Sequence, residues 1–300
     1  MSSWNLPELN RWKPKHPSSL PLRIFKQYDI EIWRFMAAYY TSEKFTYSQL
    51  GKKGCKWSDS AGTCFSINTI EKSLTLKMWS DDLHKFDHWI RLNFLLSTCS
   101  YFETYISSII DECIQSDPGM LFGVSNTIDG IKLLKYDHKI KEKDYKNKII
   151  DCTKGDWNSR LNGFTQLFPN IPNVIQQNLS DLEKIRKLRN DVAHAFGRDI
   201  EESRNYENVM IKPMQTLSVK ACSHYHHILF TIARNLDEYF LNNHIGNYEP
   251  LRFYHNLFPK IRNLDKGHKL VSFKKSIGNQ KIDNFSKDFC RQIIIYYNNL

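Results

Sequence analysis

The chain reads as a mostly α-helical protein, and three observations predict it. Apolar residues recur at three- and four-residue spacing over 22–40 and 180–196, and long helical stretches run over 89–114 and 212–243. The glycines and prolines that would break helices collect between those stretches. Hydrophobic content of 41% with 25% charged residues is that of a globular chain, and 300 residues allow a sizeable core.

Four of the ten prolines, Pro7, Pro14, Pro17 and Pro21, fall at the start, so the first 21 residues read as an extended or loosely packed arm. A helix over 22–40 would turn Ile24, Tyr28, Ile32, Phe35 and Met36 inward. Residues 41–79 change character, with Gly51, Gly54, Gly62 and many Ser and Thr. There Thr63–Ile67 and Ser73–Met78 read as a small β-hairpin. Helical character resumes at about 82, with Trp89–Ile114 as a long amphipathic helix. Asp117-Pro118-Gly119, Gly123 and Gly130 mark a loop over 116–130, and 132–152 reads as a lysine-rich insertion. A short helix over Gly155–Phe168 is stopped by Pro169 and Pro172. This suggests an N-terminal elaboration over 1–81, a helical domain over 82–250 and a basic C-terminal helical cap over 251–300.

No stretch of 18 apolar residues exists, so no membrane span or membrane partner is expected. Met1-Ser2-Ser3-Trp4-Asn5-Leu6-Pro7 lacks the basic start and apolar run of a signal peptide. Seven cysteines without a Cys-x-x-Cys point to free thiols in a reducing cytoplasm. The net charge of +10 is uneven: 252–300 hold ten Lys/Arg against three Asp, and 132–148 hold seven Lys against three acids. Such patches attract phosphate backbones. Phe253, Tyr254, Phe258 and Phe273 lie among the C-terminal charges, either to stack on bases or to anchor that segment.

Several constellations carry two readings. Asp81, His84 and His88 have the spacing of zinc ligands or of a solvated helix face, and no third strong ligand is evident. Cys55 and Cys64 flank a loop and would need metal partners elsewhere. His224, His226 and His227 either approach a cleft or pack on a helix surface. Gly51-Lys52-Lys53-Gly54 lacks the spacing of a phosphate loop.

The most informative run is Arg189-Asn190-Asp191-Val192-Ala193-His194. Ser180 and Glu183 form a capping box, Leu182, Ile185, Leu188 and Val192 give one apolar stripe, and Gly197 can end the helix. Asn190 and His194 are four apart and share a face, whereas Arg189 stands about 140° from His194 at ~100° per residue. A histidine titrating near neutrality can take the proton of a ribose 2′-hydroxyl, and an arginine can hold the phosphate as charge builds on it. One helix offers one of each; two copies about a two-fold axis would offer two.

The segment Leu182–Gly197 resembles the signature of the HEPN superfamily of all-helical ribonuclease domains, in which an arginine, often followed by a polar residue, precedes a histidine. The long helix before it, with Glu103, the long helix after it and the closing run His244-Ile245-Gly246-Asn247-Tyr248-Glu249 are similar to the RiboL-PSP-HEPN branch, over about residues 86–250. The resemblance implies a dimerising helical bundle that cuts RNA without a metal or cofactor and leaves a 2′,3′-cyclic phosphate. Arg189 would hold the scissile phosphate, His194 would act as general base or acid, and Asn190 would orient them. One subgroup carries a tyrosine two residues after the histidine; here Phe196 stands there, so adenylylation at that position is unavailable.

Glu103 sits among Leu95, Leu96, Phe102, Ile106 and Ile110 and needs a partner, for which Arg189 and Arg160 are the candidates. It either orients the catalytic arginine from behind or forms an interhelical ion pair. Lys184, Arg186, Lys187 and Arg198 are the residues nearest the motif suited to RNA phosphates. The expectation is a homodimeric endoribonuclease, a toxin or abortive-infection effector acting on tRNA or other cellular RNA, with an antitoxin or defence-system partner. The alternatives are a catalytically silent module that binds RNA or protein, and a regulatory subunit of a defence complex.

Overall fold

The computed structural model describes residues 4, 6–67, 73–138, 140–195, 198, 213–279 and 285–300. Among these the fold is helical, with no strands. The helices are α1 (Leu20–Lys52), α2 (Ala61–Phe65), α3 (Leu76–Ser116), α4 (Gly130–Lys135), α5 (Lys146–Thr153) and α6 (Trp157–Leu167). They continue with α7 (Val174–Gln177), α8 (Leu179–Ala195), α9 (Val219–Phe240), α10 (Tyr248–Ile261), α11 (Lys266–Asn279) and α12 (Lys287–Asn299). No helix among the described residues is long and apolar enough to cross a membrane. All seven cysteines are free thiols, six of them buried.

The chain folds into two compact units: 1–25, 103–177 and 231–300 form the first, and 26–102 and 178–230 the second. In the first unit, Glu103–Ser116 brings Tyr105, Ile109 and Ile110 into a core with Phe164, Phe168, Phe240 and Leu251, all at most 2% exposed. The N-terminal arm departs from the sequence expectation, because it is tightly held. Arg11 is buried and donates to Asp129 Oδ1 (3.0 Å), to the Ile245 carbonyl (2.7 Å) and to the Ser116 carbonyl (2.9 Å). Asn247 donates to the carbonyls of Asn10 (2.9 Å) and Lys13 (2.7 Å). Prolines do not hydrogen-bond through nitrogen, but the residues between them still have groups to satisfy, and these close the arm onto the turn before α10. Gly246 sits in that turn at φ +53°, and a Cβ there would lie 2.3 Å from the Arg11 carbonyl oxygen. Glycine is therefore required both by the backbone angle and by the close approach.

Two further expectations fail. Thr63–Ile67 and Ser73–Met78 do not make a hairpin. Residues 61–65 are helical, α3 starts at Leu76, and only an isolated bridge, Ser60 with Thr75, remains. Thr75 Oγ1 accepts from the Met78 amide (3.2 Å), which is a helix cap rather than a strand ladder. Leu50, Cys64 and Leu76 then pack together with Tyr47, Cys55, Phe65 and Trp79 around them. On α1, Met36 is buried, but Phe35 is 64% and Tyr28 40% exposed, so the inward face is narrower than the apolar pattern suggested. On α1 the apolar residues were assigned inward by sequence spacing, while tertiary packing covers only some of them.

Helices α4 and α5 overlap the ends of 132–152, and Cys152 is buried. The C-terminal aromatics serve packing. Tyr254 and Phe273 are buried, with ring centroids 5.0 Å apart, and Tyr254 lies 5.2 Å from Tyr297.

Candidate active site

The motif lies on α8 in the second unit. The helix forms because Leu182 and Ile185, fully buried, supply a core stripe three residues apart, with Leu188 and Val192 half-buried along it. Its start differs from the expected capping box. The helix begins at Leu179, the Leu182 amide donates to the Asn178 carbonyl (2.9 Å), and Ser180 lies inside the first turn. Glu183 accepts from Arg186 Nε (2.8 Å). The expected end at Gly197, and Phe196, lie outside the described residues.

Arg189 and Asn190 are brought together: Arg189 Nη1 donates to Asn190 Oδ1 at 3.0 Å, which fixes the guanidinium beside the amide. Both are half-buried. His194 is exposed on the last turn. Because α8 remains helical through Ala195, Asn190 and His194 stay one turn apart on one side. The residue between the two polar groups, Asp191, is 4% exposed, and its Oδ2 accepts from Gln215 Nε2 at 2.8 Å. The sequence reading passed over Asp191 and Gln215. The signal was present, since Asp191 follows Leu188 by three and falls on the apolar side of the helix. A buried carboxylate there must be satisfied, and the segment leading into α9 supplies the donor.

That segment is itself anchored. Arg91 Nε donates to the Leu217 carbonyl (2.5 Å), and His88 Nδ1 lies 3.2 Å from the same oxygen. The Ser218 hydroxyl accepts from the Ala221 amide (3.1 Å), so α9 begins at Val219, later than the expected 212, after Pro213. His88 is thereby engaged, and Asp81 pairs with Lys77, a use other than the zinc reading of that triplet. His226 Nε2 lies 2.6 Å from Asp29 Oδ1, and His224 Nε2 3.4 Å from Asp181 Oδ2.

Of the residues proposed for RNA phosphates, Lys184 donates to Asp181 (2.8 Å) and Arg186 to Glu183, both at the surface. The Lys184 hydrogen bond holds the Asp181 carboxyl below its ordinary range, and Asp181 in turn raises the Lys184 ammonium. Lys187 is exposed and Arg198 half-buried. Glu103 belongs to the first unit. Its Oε1 accepts from both Nη groups of Arg160 at 3.3 Å, while Arg160 also donates to the Gly155 carbonyl (3.1 Å) and stacks over Trp157. Arg160 is one of the two partners the sequence suggested for it.

The family model of RiboL-PSP-HEPN matches residues 65–241, a span that includes all of α3, the motif helix α8 and α9. This is more than half of the chain. The chain belongs to the RiboL-PSP-HEPN family. No match was found among curated proteins or among solved structures. A RiboL-PSP-HEPN domain is compatible with RNA cleavage and RNA-related work, and the motif residues lie inside the matched span.

Proposed function

We propose that this RiboL-PSP-HEPN protein is a metal-independent endoribonuclease, acting as a toxin or anti-phage effector on tRNA or other cellular RNA. The observation that supports it most is the joined Arg189–Asn190 pair one turn from the exposed His194, on a helix held from below by buried Asp191. In this reading a ring nitrogen of His194 takes the 2′-hydroxyl proton and the 2′-oxygen attacks phosphorus. The bond to the 5′-oxygen breaks, leaving a 2′,3′-cyclic phosphate. His194 of a second copy returns a proton to the leaving 5′-oxygen, and the two Arg189 groups carry the charge on the phosphorane oxygens. A dimer thus supplies base and acid from one residue type. The cytoplasm is the proposed place of action, and an antitoxin or defence-system protein the proposed partner.

The experiment is cleavage of total RNA by purified protein in EDTA, wild type beside His194→Ala. Cutting by wild type alone, with cyclic-phosphate ends, is expected. Equal cutting by both would overturn the assignment of His194. Binding without cutting by either would leave a silent RNA-binding module as the function.

A further inference from the structure

The second unit holds a cavity of about 700 Å3 that the motif does not use, lined by Tyr47, Trp57, Lys77, Ser80 and His84. Three stretches of chain build it. Tyr47 comes from the last turns of α1 and Trp57 from the segment between α1 and α2. Lys77, Ser80 and His84 stand at three- and four-residue spacing on one side of the start of α3. The frame is fixed. The Lys77 amide donates to the Trp57 carbonyl (3.0 Å), the Leu76 amide donates to the Asp59 carbonyl (2.8 Å), and the Tyr47 and Ser80 hydroxyls share a hydrogen bond (2.9 Å). Tyr47 and Trp79 pack with ring centroids 5.7 Å apart against the cluster of Leu50, Cys64 and Leu76. On that frame Trp57 stays 55% exposed, and Lys77 and His84 are exposed beside it. An indole held in place but left uncovered is a ready stacking face. Charge selects the occupant. Residues 44–58 hold four Lys and no Asp or Glu, and all four lysines are exposed. Lys44, three residues before Tyr47, neighbours it on α1, and Lys56 adjoins Trp57. Lys77 pairs with Asp81 at 2.6 Å, a surface pair that a phosphate can displace.

We propose that this cavity grips an unpaired stretch of RNA, with one base stacked on Trp57 and a neighbouring phosphate against Lys77 and His84. A base in a duplex has both faces covered by its neighbours and offers only an edge, so a stacking site selects a single strand. The inference rests on the reading of the chain as an RNA-cutting protein and adds where the strand is held. Tyr47 and Trp57 precede the family match, which starts at residue 65, so this grip belongs to the N-terminal elaboration rather than to the residues shared with the family. It also gives the exposed His84 a use other than binding zinc.

The test is fluorescence anisotropy of a labelled 2′-O-methyl oligouridine and of a labelled 2′-O-methyl RNA hairpin, each titrated with the full chain. Neither probe has a 2′-hydroxyl to react, so binding is read without cutting. Trp57→Ala is expected to weaken oligouridine binding about 5- to 100-fold and to leave the hairpin unchanged. Trp57→Phe keeps most of the affinity, because a phenyl face still stacks. Lys77→Ala lowers the slope of log affinity against log salt by about 0.7. Circular dichroism melts of these variants match wild type, since the positions are exposed. Wild-type affinity of Trp57→Ala for the oligouridine, or an equal loss on the hairpin, would overturn the proposal. So would a wild type that binds neither RNA, which would leave this face to a protein partner. An error in the assignment of His194 leaves these titrations standing, and their failure leaves the cleavage experiment untouched, so the two readings are told apart.

Discussion

In the first unit charged side chains are internal: Arg11 is 3% exposed and spans Asp129, Ser116 and Ile245, and Glu112, 4% exposed, pairs with Arg252 at 2.7 Å. In the second unit the charges of α8 pair within a turn at the surface, Lys184 with Asp181 and Arg186 with Glu183, while Asp191 alone is drawn inside. The difference separates two uses of charge. Buried and held by specific partners, a charged group favours one arrangement and is costly to disturb. At the surface it contributes little to the fold and remains available to a ligand.

The largest expected effect breaks that comparison at the motif. His194→Ala should lower RNA cleavage by about 10²–10⁴-fold, the usual contribution of a positioned acid–base group, while the denaturation midpoint stays put. Arg11→Ala should do the reverse. It takes from Asp129 its cationic partner and from the two carbonyls a donor, and urea unfolding should show a loss of about 3–5 kcal/mol with the motif untouched. Asp191→Ala lies between them. It strips Gln215 of its acceptor, so about 1–3 kcal/mol of stability should go, and cleavage should fall because the Arg189–Asn190 turn loses its anchor.

A pH scan sharpens the contrast further. Burial pushes the Glu112 carboxyl up to about 7, against the pull of Arg252 and with a push from Glu249. The folded chain then keeps a proton that the unfolded chain loses near the ordinary carboxylate value. Stability from this group therefore falls as pH rises from about 4.5 to about 7 and is level above that. Glu112→Gln should flatten that part of the stability–pH curve by an amount on the order of 1–2 kcal/mol; a curve parallel to wild type would remove Glu112 as its source. The smallest effect is Lys184→Ala. Its midpoint should match wild type, while RNA affinity falls slightly and the slope of log affinity against log salt drops by about 1.

Much of this was legible beforehand where local rules and tertiary demands agree. The α8 stripe of Leu182 and Ile185, the α6 helix stopped before Pro169, and the motif's place on a helix between two long helices all follow from spacing and breakers. The N-terminal arm was misread because proline content speaks only of local backbone. The arm's order comes from Arg11 and from Asn247, more than 230 residues away in the chain. The hairpin was misread because Ser, Thr and short apolar runs suit strands and helix caps alike, and Thr75 became a cap.

Sequence by itself determined the helical class, the family and the identity of the motif residues, because periodicity and residue chemistry are carried within a few turns of chain. Only the tertiary structure decided that Asp191 would be buried against Gln215, that Arg160 would meet Glu103, and that Phe35 would be left in solvent. Burial and pairing depend on which distant segments fold against a residue, and no local pattern encodes that.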